Sequence, residues 1–136
     1  MTKTTINLAS ETNKATWLNW GMRALFAALA IVILWKSLEP FYGQPGSHYI
    51  DKVQHFLAYF ILSGLALLSR FPLRRVSLLL AILVFSAAIE ILQGAMNMGR
   101  TASFADFLAN LSGVLVAWSV WRVGQLLWHT NVKKNR

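Results

Sequence analysis

Ten polar residues stand out in an otherwise apolar chain as the ones able to do chemistry: Asp51, Lys52, His55, Glu90, Gln93, Asn97, Arg100, Ser103, Asp106 and Asn110. They include three of the five carboxylates. A carboxylate beside an imidazole can move protons. Arginine and lysine can hold a phosphate or carboxylate, the former through a bidentate fork. Asp51, His55, Glu90 and Asp106 could also offer oxygen and nitrogen to a metal ion. With one histidine in the group, no paired-histidine motif and no cysteine, zinc is poorly specified, so no metal and no other cofactor is expected.

The spacing says what must carry these residues. Asp51, His55 and Tyr59 follow one another at i+4, Glu90, Gln93 and Asn97 at i+3 and i+7, and Asp106, Asn110, Gly113 and Ala117 likewise. On helices each set is a single stripe. The composition agrees, with 56% hydrophobic and only 13% charged residues among 136, against about 25% charged in an ordinary soluble domain. The net charge of +8 would suit nucleic acid if the cations formed a continuous face. They lie instead at the edges of apolar runs, which excludes that partner and makes them topology markers. The absence of cysteine excludes a disulfide framework and a thiol nucleophile.

Four runs are apolar and long enough to read as membrane spans, at about 18–38, 53–69, 76–96 and 104–125. Continuous Leu- and Ala-rich runs exclude a barrel, whose strands would alternate. The expected fold is an all-α membrane protein, four transmembrane helices in a small bundle, with an N-terminal arm over 1–17 and a single membrane domain over 18–136. Trp35 to Pro40 lacks a small-residue cleavage pattern, so the first run reads as an uncleaved anchor. Ten of the thirteen Lys and Arg residues flank the termini and the 70–75 connection, leaving Lys36, Lys52 and Arg100 on the alternate side. Basic residues are retained in the cytoplasm, so both termini are expected there, in a bacterial inner membrane. All ten polar residues then fall toward the outer helix ends. Lipid cannot satisfy such stripes, and a charge near the bilayer centre costs roughly 2.5–3.5 kcal/mol on insertion scales, so they should turn inward and meet.

Each residue also has a plainer role. Ser103 to Asp106 matches a capping box and Asp51 to Gln54 its looser form, so both aspartates could cap helix starts. His55 could be a packing residue that hydrogen-bonds. Gly113 and Ala117 are small residues at the spacing that lets two membrane helices approach. Glu90 lies six residues, about 9 Å, inside the end of its span, too far for capping. Its structural alternative is an ion pair with Arg100, Lys52 or His55.

Taken in order, Asp51-Lys52-x-x-His55-Phe56, Glu90-x-x-Gln93 and Arg100-x-x-Ser103-x-x-Asp106-x-x-x-Asn110-x-x-Gly113 resemble the VanZ-like family of small multi-pass membrane proteins, named for a protein associated with teicoplanin resistance. The motifs span about 48–118, and Ala117 stands where the family often has glycine. The resemblance implies a cell-envelope setting and specifies no reaction. Two functions follow as expectations. In the first, Asp51, Lys52, His55, Glu90, Gln93, Arg100, Ser103, Asp106 and Asn110 bind an anionic or lipid-linked envelope ligand, such as a cell-wall intermediate or a lipoglycopeptide, drawn from among membrane lipids. In the second, Glu90 or Asp51 works as a base with His55 in an enzyme acting on a lipid-linked substrate, although no Gly-x-Ser-x-Gly nucleophile motif is present. A purely structural interhelical lock is the third reading, and transport is disfavoured because four helices leave little room for a pathway.

Overall fold

The computed structural model describes residues 3–39, 48–96 and 103–134. They form α1 (Lys3–Leu38), α2 (His48–Leu68), α3 (Arg75–Met96) and α4 (Phe104–Lys134), with no strand among the described residues. The helices start and end close to the apolar runs, with two exceptions. The polar arm expected before the first run is helical from Lys3, and α4 continues past the last run to Lys134. Neither extension contains a proline, so nothing in the local sequence stops the hydrogen-bond ladder.

Three segments, Asn13–Leu38, Arg75–Met96 and Phe104–Lys134, are long and apolar enough to cross a membrane. The second helix has the length, 21 residues, but its first two turns carry Asp51, Lys52, Gln54 and His55. The helix exteriors are apolar, with Ile61, Leu80, Val84, Ile91, Leu115 and Val120 all exposed. Such a continuous surface would be a liability in water and suits contact with lipid.

At the centre, α2 touches each of the other helices, while α3 also touches α1 and α4. The α2 and α4 helices run side by side in the same direction and are the most closely packed pair. Gly113 is the reason. A Cβ there would lie 2.4 Å from the carbonyl oxygen of Phe56 and 2.9 Å from the amide nitrogen of Phe60, so only a glycine lets the two backbones come this close. Ala117, one turn on, is buried in the same seam.

Two unlike halves result. Toward the α2–α3 connection the interior is Leu67, Leu78, Leu79, Ile82 and Ala66, closed by Phe26, Phe71 and Trp121. Pro72 removes a donor and restricts Phe71, ending the helical path after α2. The connection is tied down by Asn19, whose Oδ1 accepts the Arg70 amide at 2.6 Å, and by the Arg23 guanidinium, which donates to the Arg70 carbonyl. Arg23 also lies 5.1 Å from both the Trp20 and Phe71 ring centres, and Arg75 stacks 4.3 Å above Trp121. These are cations with apolar stems held at an interface by aromatic rings. At the other end the inner faces of α2, α3 and α4 turn polar.

Candidate functional site

The polar end is assembled from the stripes expected from the helical spacing. The α2 stripe supplies Asp51 and His55, and Lys52 lies beside it. On α3 the stripe supplies Glu90 and Gln93, and on α4 Asp106 and Asn110, the latter only 1% exposed. Lys52 Nζ meets Asp106 Oδ1 at 2.9 Å. His55 Nδ1 lies 3.0 Å from Asn110 Oδ1, and Asn110 Nδ2 donates to Ser86 Oγ at 2.8 Å. Three helices are thus joined through one amide. Asn110 Oδ1 can only accept, so in this arrangement His55 Nδ1 is the donor and the other ring nitrogen, Nε2, is left for a second partner. That nitrogen faces Asp51 Oδ2 at 4.0 Å, beyond hydrogen-bond length.

The capping box at α4 is divided between two helices. Ser103 Oγ accepts the Asp106 amide at 3.3 Å, as a capping serine does. The reciprocal bond, which the Asp106 carboxylate would ordinarily make to the Ser103 amide, comes from Glu90, whose Oε2 accepts it at 3.2 Å. Asp106 is therefore released from capping and available to Lys52. Glu90, 7% exposed, faces the bundle interior, and its other oxygen, Oε1, is buried with no hydrogen-bond partner among the described residues. Asp51 does not cap α2 either, because the helix starts at His48 and Asp51 stands within its first turn. A carboxylate there is favoured by the helix dipole. The hydrogen bond from Lys52 to Asp106 raises the lysine pKa above its ordinary 10.5, with desolvation opposing. Lys52 is a cation throughout the neutral range.

Gln93 belongs to a neighbouring contact, with Nε2 donating to the Ser37 carbonyl at the end of α1 at 2.8 Å. Arg100 and Asn97 lie outside the described residues. The sequence reading missed Ser86 and Ser63, both fully buried. The signal was present: Ser86 extends the α3 stripe one turn back from Glu90, and Ser63 extends the α2 stripe one turn beyond Tyr59. Ser63 Oγ is buried without a hydrogen-bond partner among the described residues.

Two clefts flank the cluster. One, about 230 Å³, lies between α1 and α2 and is lined by Ile33, Lys36, Ser37, Asp51, His55 and Tyr59 among others. The other, about 320 Å³, lies between α3 and α4 over Glu90, Ile91, Ser103, Phe104 and Phe107.

An all-helical bundle with three helices able to span a bilayer and a polar cluster at one end defines a multi-helix membrane protein. The sequence model of the VanZ/LLP1 family matches residues 2–127, nearly the whole chain, and the protein belongs to that family. The match takes in the first helix, which the motifs around 48–118 do not reach. No curated protein and no solved structure matches the chain.

Proposed function

We propose that the protein spans the membrane with all four helices, keeps both termini in the cytoplasm, and uses the polar end as an outward-facing site for the head of a lipid-linked envelope molecule. The observation that carries this reading is the convergence of Asp51, Lys52, His55, Ser86, Glu90, Asp106 and Asn110 from three helices inside an apolar shell. Interhelical polar contacts in membranes average only about 0.6 kcal/mol, a weak return for burying a carboxylate in this setting. The flanking clefts give a ligand a route to the cluster between helices, so its lipid chain need not leave the bilayer. The bias of ten cations to three supports the orientation. The second helix completes the crossing with its polar first turns at headgroup depth. Lys52 would face the anionic part of the head, Arg100 would contribute a second positive charge to the ligand's binding, and the carboxylates would meet its hydroxyl or amine donors.

The test is a titration of protein in phosphatidylcholine nanodiscs with a polyprenyl-diphosphate-linked sugar. Saturable binding is expected, weakened at least tenfold by Arg100→Ala and by Asp51→Asn and unaltered by Leu80→Ala on the lipid face. No saturable binding by the native protein, or equal binding by all variants, would overturn the reading. The enzymatic alternative, with Glu90 and His55 as acid and base, receives no support from the geometry. Both ring nitrogens of His55 face Asn110 and Asp51, and no hydroxyl is hydrogen-bonded to it among the described residues.

A further inference from the structure

The described part of the polar end carries an excess of negative charge. Asp51, Glu90 and Asp106 stand against Lys52, which is already engaged by Asp106, while Lys36 on the cleft wall is paired with Glu39. Such a cluster is poorly suited to an anionic head unless a further cation is present. The side chains define where one would sit. Asp51, His55 and Asp106 each offer one ligand atom, and no two of these atoms are more than 4.8 Å apart.

The histidine is the telling member. Its Nδ1 is taken by Asn110, which is itself oriented by Ser86, and this is how a metal-binding imidazole is usually held, with one nitrogen hydrogen-bonded and the other directed at the ion. The other nitrogen, Nε2, lies 4.0 Å from Asp51 Oδ2, beyond hydrogen-bond length. Metal–nitrogen and metal–oxygen bonds of about 2.0–2.2 Å place two ligand atoms between about 3.3 Å apart at a tetrahedral angle and about 4.2 Å apart in line. The 4.0 Å gap lies inside that window. The cleft between α1 and α2, lined by Asp51 and His55, gives an ion a way in.

We infer that Asp51, His55 and Asp106 form a site for one divalent cation of the mixed nitrogen and oxygen type, such as Zn²⁺ or Mn²⁺. Three protein ligands leave coordination positions open, and an anionic head could take them. Only that last step rests on the function proposed above. Lys52 competes with the ion for Asp106, so removing its charge should tighten binding.

The experiment uses the full chain in detergent, free of any affinity tag, titrated with Mn²⁺ alone and followed by the loss of the free-ion electron paramagnetic resonance signal. One Mn²⁺ per chain, displaced by Zn²⁺, is expected. His55→Gln and Asp51→Asn should each weaken binding at least tenfold while circular dichroism shows the helices retained, and Lys52→Met should tighten it severalfold. No stoichiometric Mn²⁺ in the native protein, or binding unchanged by both His55→Gln and Asp51→Asn, would overturn the inference. Because no lipid is present, a negative result here removes the metal site and leaves lipid binding to be decided by the nanodisc titration. Conversely, stoichiometric Mn²⁺ without lipid binding would sustain the metal site and remove the proposed function.

Discussion

The two ends of the bundle solve the problem of helix association in opposite ways. Near the α2–α3 connection, Leu67, Leu78, Leu79 and Ile82 interlock without polar groups, and arginines on aromatic rings close the end. At the other end the same helices meet through Lys52 with Asp106, His55 with Asn110, and Asn110 with Ser86. Buried side-chain polar atoms without a partner among the described residues occur at both ends, Glu90 Oε1 in the polar half and Arg23 Nε in the apolar one. The contrast is consistent with the binding role proposed for the polar end. The apolar half also interrupts the polar stripes, so among the described residues no continuous polar path crosses the bundle.

Substitutions can break this contrast, and the largest effect belongs to the seam shared by both halves. Gly113→Leu drives a side chain into the α2 backbone, where nothing flexible can yield. Overpacking of this kind should cost ~3 kcal/mol or more, read as loss of folded protein in detergent extracts. Next, Ile82→Ala opens a cavity in the apolar half and should remove ~2–4 kcal/mol of stability. Its Mn²⁺ and lipid titrations should match the native protein, and a loss of binding there would show that the halves are not separable. Asn110→Ala removes two interhelical contacts, ~0.6 kcal/mol each in a membrane, or about 1 kcal/mol together. Its effect on binding should far exceed its small shift in unfolding temperature, since His55 loses the partner that fixes its tautomer.

The smallest effect concerns Lys52. Its folded pKa is raised, so its contribution to stability is complete below the ordinary lysine value of 10.5 and is lost as pH rises through the raised one. Native protein and Lys52→Ala should therefore differ by a small, constant amount in thermal unfolding from pH 7 to 9. The two should converge only in strongly alkaline solution.

Much of this was legible in the residue order. Stripes at i+3 and i+4 placed Asp51, His55, Glu90, Asp106 and Asn110 on inward faces, because period alone decides which side chains share one side of a helix. The same rule, carried one turn further, reaches Ser86 and Ser63. Gly113 was legible as a small residue at a helix seam. The division of the capping box was not. Sequence shows that Ser103 and Asp106 have the spacing to cap each other, but whether Glu90 from another helix takes the reciprocal bond depends on where α3 lies against α4. Asp51 likewise has the spacing of a cap, and only the start of α2 at His48 shows that it stands inside the helix.

By itself, then, the sequence determined the elements, their apolar exteriors and the polar residues that lipid would reject, since hydropathy and helical period are local properties of the chain. Tertiary structure alone decided the pairings: Lys52 with Asp106 rather than Glu90, Asn110 between His55 and Ser86, and the 4.0 Å gap between His55 and Asp51. The pairing of Lys52 with Asp106 and the placing of Asn110 against His55 depend on the axial register of α2 against α4. That register is set by how closely Gly113 lets two backbones approach, a distance no local pattern encodes.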